Sequence, residues 1–372
     1  MMNVLLLGGG LQGLSFGESL YKKRDYCVDA ISDREDIKRS RFFRKVYPIS
    51  KADYNVWLEK ILTTENYDII VPMGDAGASF LSKHKYEIEK VYHVKCAIED
   101  EKSLSIVADK GAFMEFCKKN DVPHPLTVSL SETNLEIAAD EVGFPSLIKP
   151  DHSVGARGIT KVHSKQELKS YYPKICEKYG ACTLQEFIDN PDYYYNVMLY
   201  RDSKGNCGHS VVIKIVRMYP VMAGSSSCCI SVEKPDLVEI CKKVLEKLNW
   251  SGMADFDVLQ RKDTLAYKII EINPRVPASL RAAYISGINF PEMIVRDMLG
   301  DTVFNYKYEP QKTLRYMGID LLWFLKSPNR FKSYPSWFHF FGGNVFYQDI
   351  IGRDPSTWYT WFMSGFLKLF HS

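Results

Sequence analysis

The sequence predicts an α/β (α+β) chain of two or three domains, and three observations carry that expectation. A glycine turn, Gly8-Gly-Gly-Leu-Gln-Gly13, lies between a buried-strand signal at residues 3–7 and a helical stretch to about residue 23, the order in which a Rossmann-like unit opens. Two apolar segments, residues 254–259 and 265–272, flank a short polar turn and read as a β-hairpin. Between these landmarks, strand-like runs alternate with stretches of helical period, and 372 residues leave room for a sizeable core. The expected division is a Rossmann-like domain over residues 1–102, a second domain over 103–302 and a small aromatic-rich region over 303–372.

Composition narrows the class. Hydrophobic content of 46% and charged content of 25% are those of a soluble globular chain. A net charge of +3 gives no field that argues for nucleic acid. Nine cysteines with no C-x-x-C pair point to a reducing cytoplasm and thiols buried as small hydrophobes. No histidine spacing suits zinc. The N-terminus lacks the basic and apolar regions of a signal peptide, and no apolar run reaches the ~18 residues of a spanning helix.

The first domain opens with the strand, glycine turn and helix already described. Asp29 and Asp33 stand near the position of a ribose-binding acid, so a dehydrogenase is one local reading. Residues 67–72 and a helix near 76–84 complete only a small α/β unit. Residues 103–120 then read as one helix, with Leu104, Val107, Phe113, Phe116 and Cys117 along an apolar face. Residues 144–149 (FPSLIK) form a short strand ending in Lys149. The next segment, Ser153-Val-Gly-Ala-Arg-Gly158, is small enough to fold over phosphates through its backbone N–H groups. Residues 183–188 (TLQEFI) are another strand, running into the turn 189–192. Residues 193–201 and 207–218 read as paired strands, on which Lys214 and Arg217, three apart, would face opposite ways. Residues 235–248 are a scaffold helix, and residues 289–299 a closing helix ended at Gly300.

The hairpin carries the chemistry. Glu271 and Asn273 are two apart on a strand and share a face, onto which a hairpin can bring Asp257. Two carboxylates and an amide oxygen make a hard-oxygen site suited to Mg²⁺, with phosphate and water completing the shell. A solvated hairpin face would have the same residues.

A lysine strand, a glycine loop, a QEFI-type turn and Asp…Glu-x-Asn-Pro-Arg, in this order, resemble the ATP-grasp superfamily over roughly residues 103–300. The resemblance implies a two-lobed nucleotide-binding domain, with lobes over about 110–183 and 184–302, behind a Rossmann-like domain that does not use NAD. It implies ATP with one or two Mg²⁺ ions (Mn²⁺ as a substitute) held by Asp257, Glu271 and Asn273. Lys110, in the Asp-Lys pair of the 103–120 helix, and Lys149 would meet the phosphates under Ser153, Gly155 and Gly158. Gln185, Glu186 and Ile188 would hold adenine, and Asp192, where glutamate is more usual, the ribose. Lys110 also reads as a solvated helix lysine, and Asp192 as a turn residue beside Pro191. Arg275 would stabilise developing phosphate charge. Arg217 is a candidate for a substrate carboxylate or phosphate, with a surface arginine as the alternative, and Ser279 and Arg281 are weaker candidates for substrate contact.

The chemistry so implied is an ATP-dependent carboxylate–amine (or thiol) ligase working through an acyl phosphate and releasing ADP and phosphate. Alternatives are an ATP-grasp kinase, a carbamoyl-phosphate-synthetase- or carboxylase-like enzyme, and a non-catalytic nucleotide-binding regulator. Its partners would be a small carboxylate and an amine, with a homodimer common in such proteins. From residue 303 onward the chain holds 20 of its 49 aromatic residues and four of its six tryptophans, with a net charge of +4. That region either docks on the body, the favoured reading, or sits at a membrane surface.

Overall fold

The computed structural model describes residues 1–23, 25–49, 54–152, 157–221, 224–351 and 354–360. Its first unit alternates strand and helix: β1 (Met2–Leu7), α1 (Leu11–Tyr21), β2 (Tyr26–Ile31), α2 (Glu35–Lys38), β3 (Val46–Tyr47), α3 (Tyr54–Thr64), β4 (Ile69–Pro72), α4 (Asp75–Tyr92) and β5 (Lys95–Cys96). The five strands are parallel in the order β3-β2-β1-β4-β5, and the run Val4–Leu7 is buried as the centre of such a sheet must be. Gly8 has φ +100°, and a Cβ on Gly9 would stand 2.7 Å from Ser32 Oγ, so this tight turn accepts glycine alone at both positions. Asp29 is not available for a ribose. It is buried and accepts hydrogen bonds from Arg44, the Lys45 N–H and the Tyr67 hydroxyl. Asp33 caps the Ile49 N–H.

The helix expected over residues 103–120 is two helices, α5 (Glu101–Ala108) and α6 (Lys110–Lys119). Asp109 adopts an extended conformation between them and accepts the Ala112 N–H at 2.7 Å, an N-cap that restarts the helix. The break sets Lys110 at a helix start. A four-stranded antiparallel sheet follows, from β6 (Thr127–Ser129), α7 (Leu135–Val142), β7 (Ser146–Pro150), β8 (Thr160–Val162), α8 (Lys165–Tyr179) and β9 (Cys182–Glu186), in the order β6-β9-β7-β8. Its Ile148 and Leu184 pack on α7 and α8, while Lys149 and Gln185 face the other side. Ser164 caps α8 by accepting the Glu167 N–H, and Glu167 reaches back to the His163 N–H at 2.8 Å. Ser164→Ala should cost about 1 kcal/mol, seen as faster hydrogen exchange in the first turn of α8.

The third sheet has seven strands: β10 (Tyr194–Arg201), β11 (His209–Tyr219), β12 (Ser225–Val232), then, after α9 (Pro235–Lys247), β13 (Gly252–Gln260) and β14 (Tyr267–Asn273). Beyond α10 (Leu280–Ile285) and α11 (Phe290–Met298) come β15 (Thr313–Arg315), α12 (Met317–Lys326) and β16 (Val345–Tyr347). The strand order is β14-β13-β10-β11-β12-β15-β16. One face buries Val197, Val212 and Phe256 under α9. The other packs Met198, Ile213 and Ile215 with α10, α11 and the first unit. Residues 303–372 are therefore not a separate subdomain throughout, since two of their strands finish this sheet. The same region also reaches the first unit, where Gln348 donates to Ser15 Oγ at 3.2 Å, and Arg281, paired with Glu18, donates to the Tyr347 carbonyl. Arg281 is thus a buried tie between domains, its guanidinium engaged by Glu18 and the Tyr347 carbonyl, and Ser279 stands at the N-terminus of α10.

Candidate active site

Strand register assembles the site. On β13 and β14, Asp257 stands opposite Glu271 and Asp255 opposite Asn273, so all four share one sheet face, as the expected hairpin requires. Asn196 on β10 lies beside Asp257 and donates a hydrogen bond to it from its side-chain amide. Lys110 approaches Glu271 from the start of α6, at 3.7 Å. Lys149 is buried on the cleft side of β7 and donates to Gln185 Oε1 at 2.9 Å; Gln185 in turn donates to Thr127.

Arg275 comes from the turn after β14. Its guanidinium donates to Asn273 Oδ1 at 3.2 Å and to Asp75 Oδ1 at 2.8 Å. Asp75 opens α4 of the first unit, so this arginine fixes one domain to the other at the site's edge. Asn273 turns its oxygen to Arg275 and its nitrogen to Asp255 Oδ2, at 3.3 Å. Asp255, which sequence reasoning passed over, is buried, and its Oδ1 has no hydrogen-bond partner.

Charge in the cleft is finely divided. Poor solvation, then the adjacent Glu271, push the Asp257 carboxyl well above the usual carboxylate range. Burial acts in the same direction on Glu271, but a hydrogen bond from Asp257 and the cations of Lys110, Lys149 and Arg275 outweigh it and hold Glu271 low. The two shifts run in opposite directions, Asp257 toward its protonated form and Glu271 toward its ionised form. Burial lifts Asp255 to about 7 against the pull of Arg275, and burial lowers Lys149 despite its acidic neighbours. Two adjacent carboxyl groups, each opposing the charge of the other, fit a divalent cation, which would neutralise both. Among the described residues no three histidine, cysteine or acidic side chains close on one point. The pair Asp257 and Glu271 supplies two donors, as Mg²⁺ bound largely through phosphate and water needs.

Other expected residues fall elsewhere. Ser153 and Gly155 lie outside the described residues. Gly158 has φ +77°, and a Cβ there would come within 2.8 Å of the Tyr179 ring. The Glu186 side chain pairs with Arg261 and Ile188 is buried, which leaves only their backbone groups for a ligand. Asp192 is exposed at the turn before β10.

Arg217 is no part of the site. A β-bulge after Ile215 puts Arg217 opposite Cys228, so it shares a face with Lys214 and lies on the reverse side of the sheet from Asp257. It is fully buried, its fork closed on Asp320 at 2.8 and 3.0 Å and its remaining nitrogen on the Pro335 carbonyl. Arg315 closes on the same carboxylate. These donors are spent on structure.

Residues 107–279 match the ATP-grasp domain family. The D-aspartate ligase of Enterococcus faecium is 24% identical over 258 residues, covering 63% of this chain and 60% of that protein. The carbamoyl phosphate synthase large chain of Methanosphaerula palustris is 26% identical over 290 residues, 72% of this chain but 26% of its own length. Among solved structures, a Campylobacter jejuni biotin carboxylase in complex with β,γ-ATP superposes with a TM-score of 0.69 at 18% identity, covering 82% of this chain and 73% of that one. The matched curated relatives thus extend well beyond the stretch they share with this chain.

Proposed function

With residues 107–279 an ATP-grasp domain, we propose that the protein is an ATP-dependent carboxylate–amine ligase. The observation that carries this reading is the cleft itself, where Asp257 and Glu271 face Lys110 and Lys149 with Arg275 closing the edge. That layout would neutralise a polyphosphate on one side and hold a divalent cation on the other. In the reaction a substrate carboxylate oxygen bonds to the γ-phosphorus as the bond to the β-phosphate oxygen breaks and ADP leaves. An amine nitrogen then attacks the acyl carbon, phosphate departs, and the nitrogen loses its proton.

Lys110 and Lys149 bind and orient the phosphates, and Gln185 holds Lys149 in place rather than contacting adenine. The Glu186 carbonyl and Ile188 N–H offer the adenine edge its hydrogen bonds, and Asp192 the ribose. The segment that includes Ser153, Gly155 and Gly158 covers the phosphates. Arg275 stabilises charge on the transferring phosphoryl group. Asp257 and Glu271, with Asn273 once its oxygen turns from Arg275, would hold one or two Mg²⁺, which supply charge neutralisation between the phosphates when bound.

Because a metal bound at Asp257 would displace any proton on that raised carboxyl into solvent, Mg²⁺ affinity should rise with pH, by up to about tenfold per unit below the pKa of that group. Calorimetry in buffers of different ionisation enthalpy would register the released proton; a pH-independent affinity would remove Asp257 from the metal set. The reading as a whole is tested by ADP release from Mg-ATP against a panel of carboxylates, with and without amines. Release that needs both an acid and an amine supports the ligase. A single molecule that emerges phosphorylated makes the protein a kinase, and bound ATP without turnover on any pair leaves it a nucleotide-binding protein.

A further inference from the structure

The aromatic region docks through β15 and β16 but leaves a broad apolar surface open. Leu321, Leu322 and Leu325 are exposed on the outer side of α12. Beyond the helix, Phe331, Tyr334 and Phe341 are 73%, 85% and 87% exposed, with Phe338 also on the surface. Three of the aromatic rings join α12 to the segment that follows it. Phe324 on α12 lies 5.6 Å from Phe331 and 5.7 Å from Phe338, and Phe331 stacks on Phe338 at 6.4 Å, centroid to centroid. A contiguous apolar surface of this kind calls for a partner.

Charge selects the partner. From Leu321 through Gln348 the chain has Lys326, Arg330 and Lys332 and no carboxylate. The flanking Asp320 and Asp349 are both buried. A second copy docked on the same patch about a two-fold axis would bring like charges together at its rim, which is unfavourable. Anionic lipid headgroups meet those cations, while phenyl and leucyl side chains enter the acyl boundary and tyrosine stays at headgroup depth. Among the described residues no helix is long and apolar enough to cross a membrane, so contact would be with the surface alone. We propose that α12 and the aromatic segment 331–341 form a docking face for an anionic lipid bilayer.

The test is co-sedimentation of the full chain with vesicles of phosphatidylcholine alone and of phosphatidylcholine with about a third phosphatidylglycerol. Three rim cations predict partitioning about a hundredfold stronger on the anionic vesicles. The triple variant Phe331→Ser, Phe338→Ser, Phe341→Ser and the charge variant Lys326→Glu, Arg330→Glu, Lys332→Glu should each fall to the neutral-vesicle level. Both alter surface side chains outside the nucleotide cleft, Arg330 alone being half-buried, and retained ATP binding would verify their fold. Absence of binding by the unaltered chain, or equal binding to both vesicle types, would overturn the proposal. So would a stable dimer in light scattering that the phenylalanine variant dissolves, which would make the face a contact between copies.

Discussion

Glu271→Gln is expected to lower turnover at least about a hundredfold while changing nucleotide affinity only a few-fold. The amide keeps the side chain's volume and removes its charge. That charge is the one Lys110 faces at 3.7 Å and the one that Lys149 and Arg275 hold in the ionised form. A hundredfold loss is about 2.7 kcal/mol of barrier, a reasonable share for one charged ligand in a poorly solvated cleft. Asp257→Asn should depress turnover comparably but cost the metal-free protein little stability, since burial and the adjacent Glu271 already disfavour a charge on that carboxyl. The pair of variants thus separates charge from shape. Near-normal turnover in Glu271→Gln would remove the hairpin from the reaction, whatever the fold.

The largest loss of stability is expected from Asp320→Ala. Asp320 is fully buried and neutralises both Arg217 and Arg315, the first at 2.8 and 3.0 Å and the second at 2.9 and 2.7 Å. Its removal strands two guanidinium groups away from water, and breaking a buried pair in this way costs about 3–5 kcal/mol. Arg217→Met should cost less, because Asp320 then keeps Arg315 and the methionine fills the space left behind. Thermal unfolding of the two variants side by side gives the comparison. Equal losses would mean that packing, rather than charge, holds α12 to the sheet.

Much of the site was legible in the sequence because it rests on strand parity. Asp257, Glu271 and Asn273 needed only the period of two and a short turn to converge. The same rule, applied one step back, reaches Asp255, whose unpartnered oxygen makes it the residue most worth adding. Asn196 could not be found this way, since its place beside Asp257 depends on which strand joins the hairpin. Asp75 arrives from a different domain, 200 residues before the arginine it holds. Arg217 was misread for two reasons, one local and one distant in sequence. One inserted residue reversed its face, and its carboxylate partner lies 103 residues further on, where no pattern marks the pairing. The helix expected over residues 103–120 failed at Asp109 because apolar spacing continues through a capping residue.

The position of β15 also governs the order in which the chain is completed during synthesis. Until residues 313–315 leave the ribosome, β12 is the bare margin of a five-stranded sheet with unpaired backbone groups, the kind of edge to which other strands attach. The arginine on β11 stays without its counter-ion until residue 320 follows. The nascent protein therefore passes through a period in which the nucleotide cleft is already encoded and its sheet unfinished. Slowing translation just ahead of residue 313 should lengthen that exposure and raise the demand for chaperones, whereas a pause after residue 348 should not.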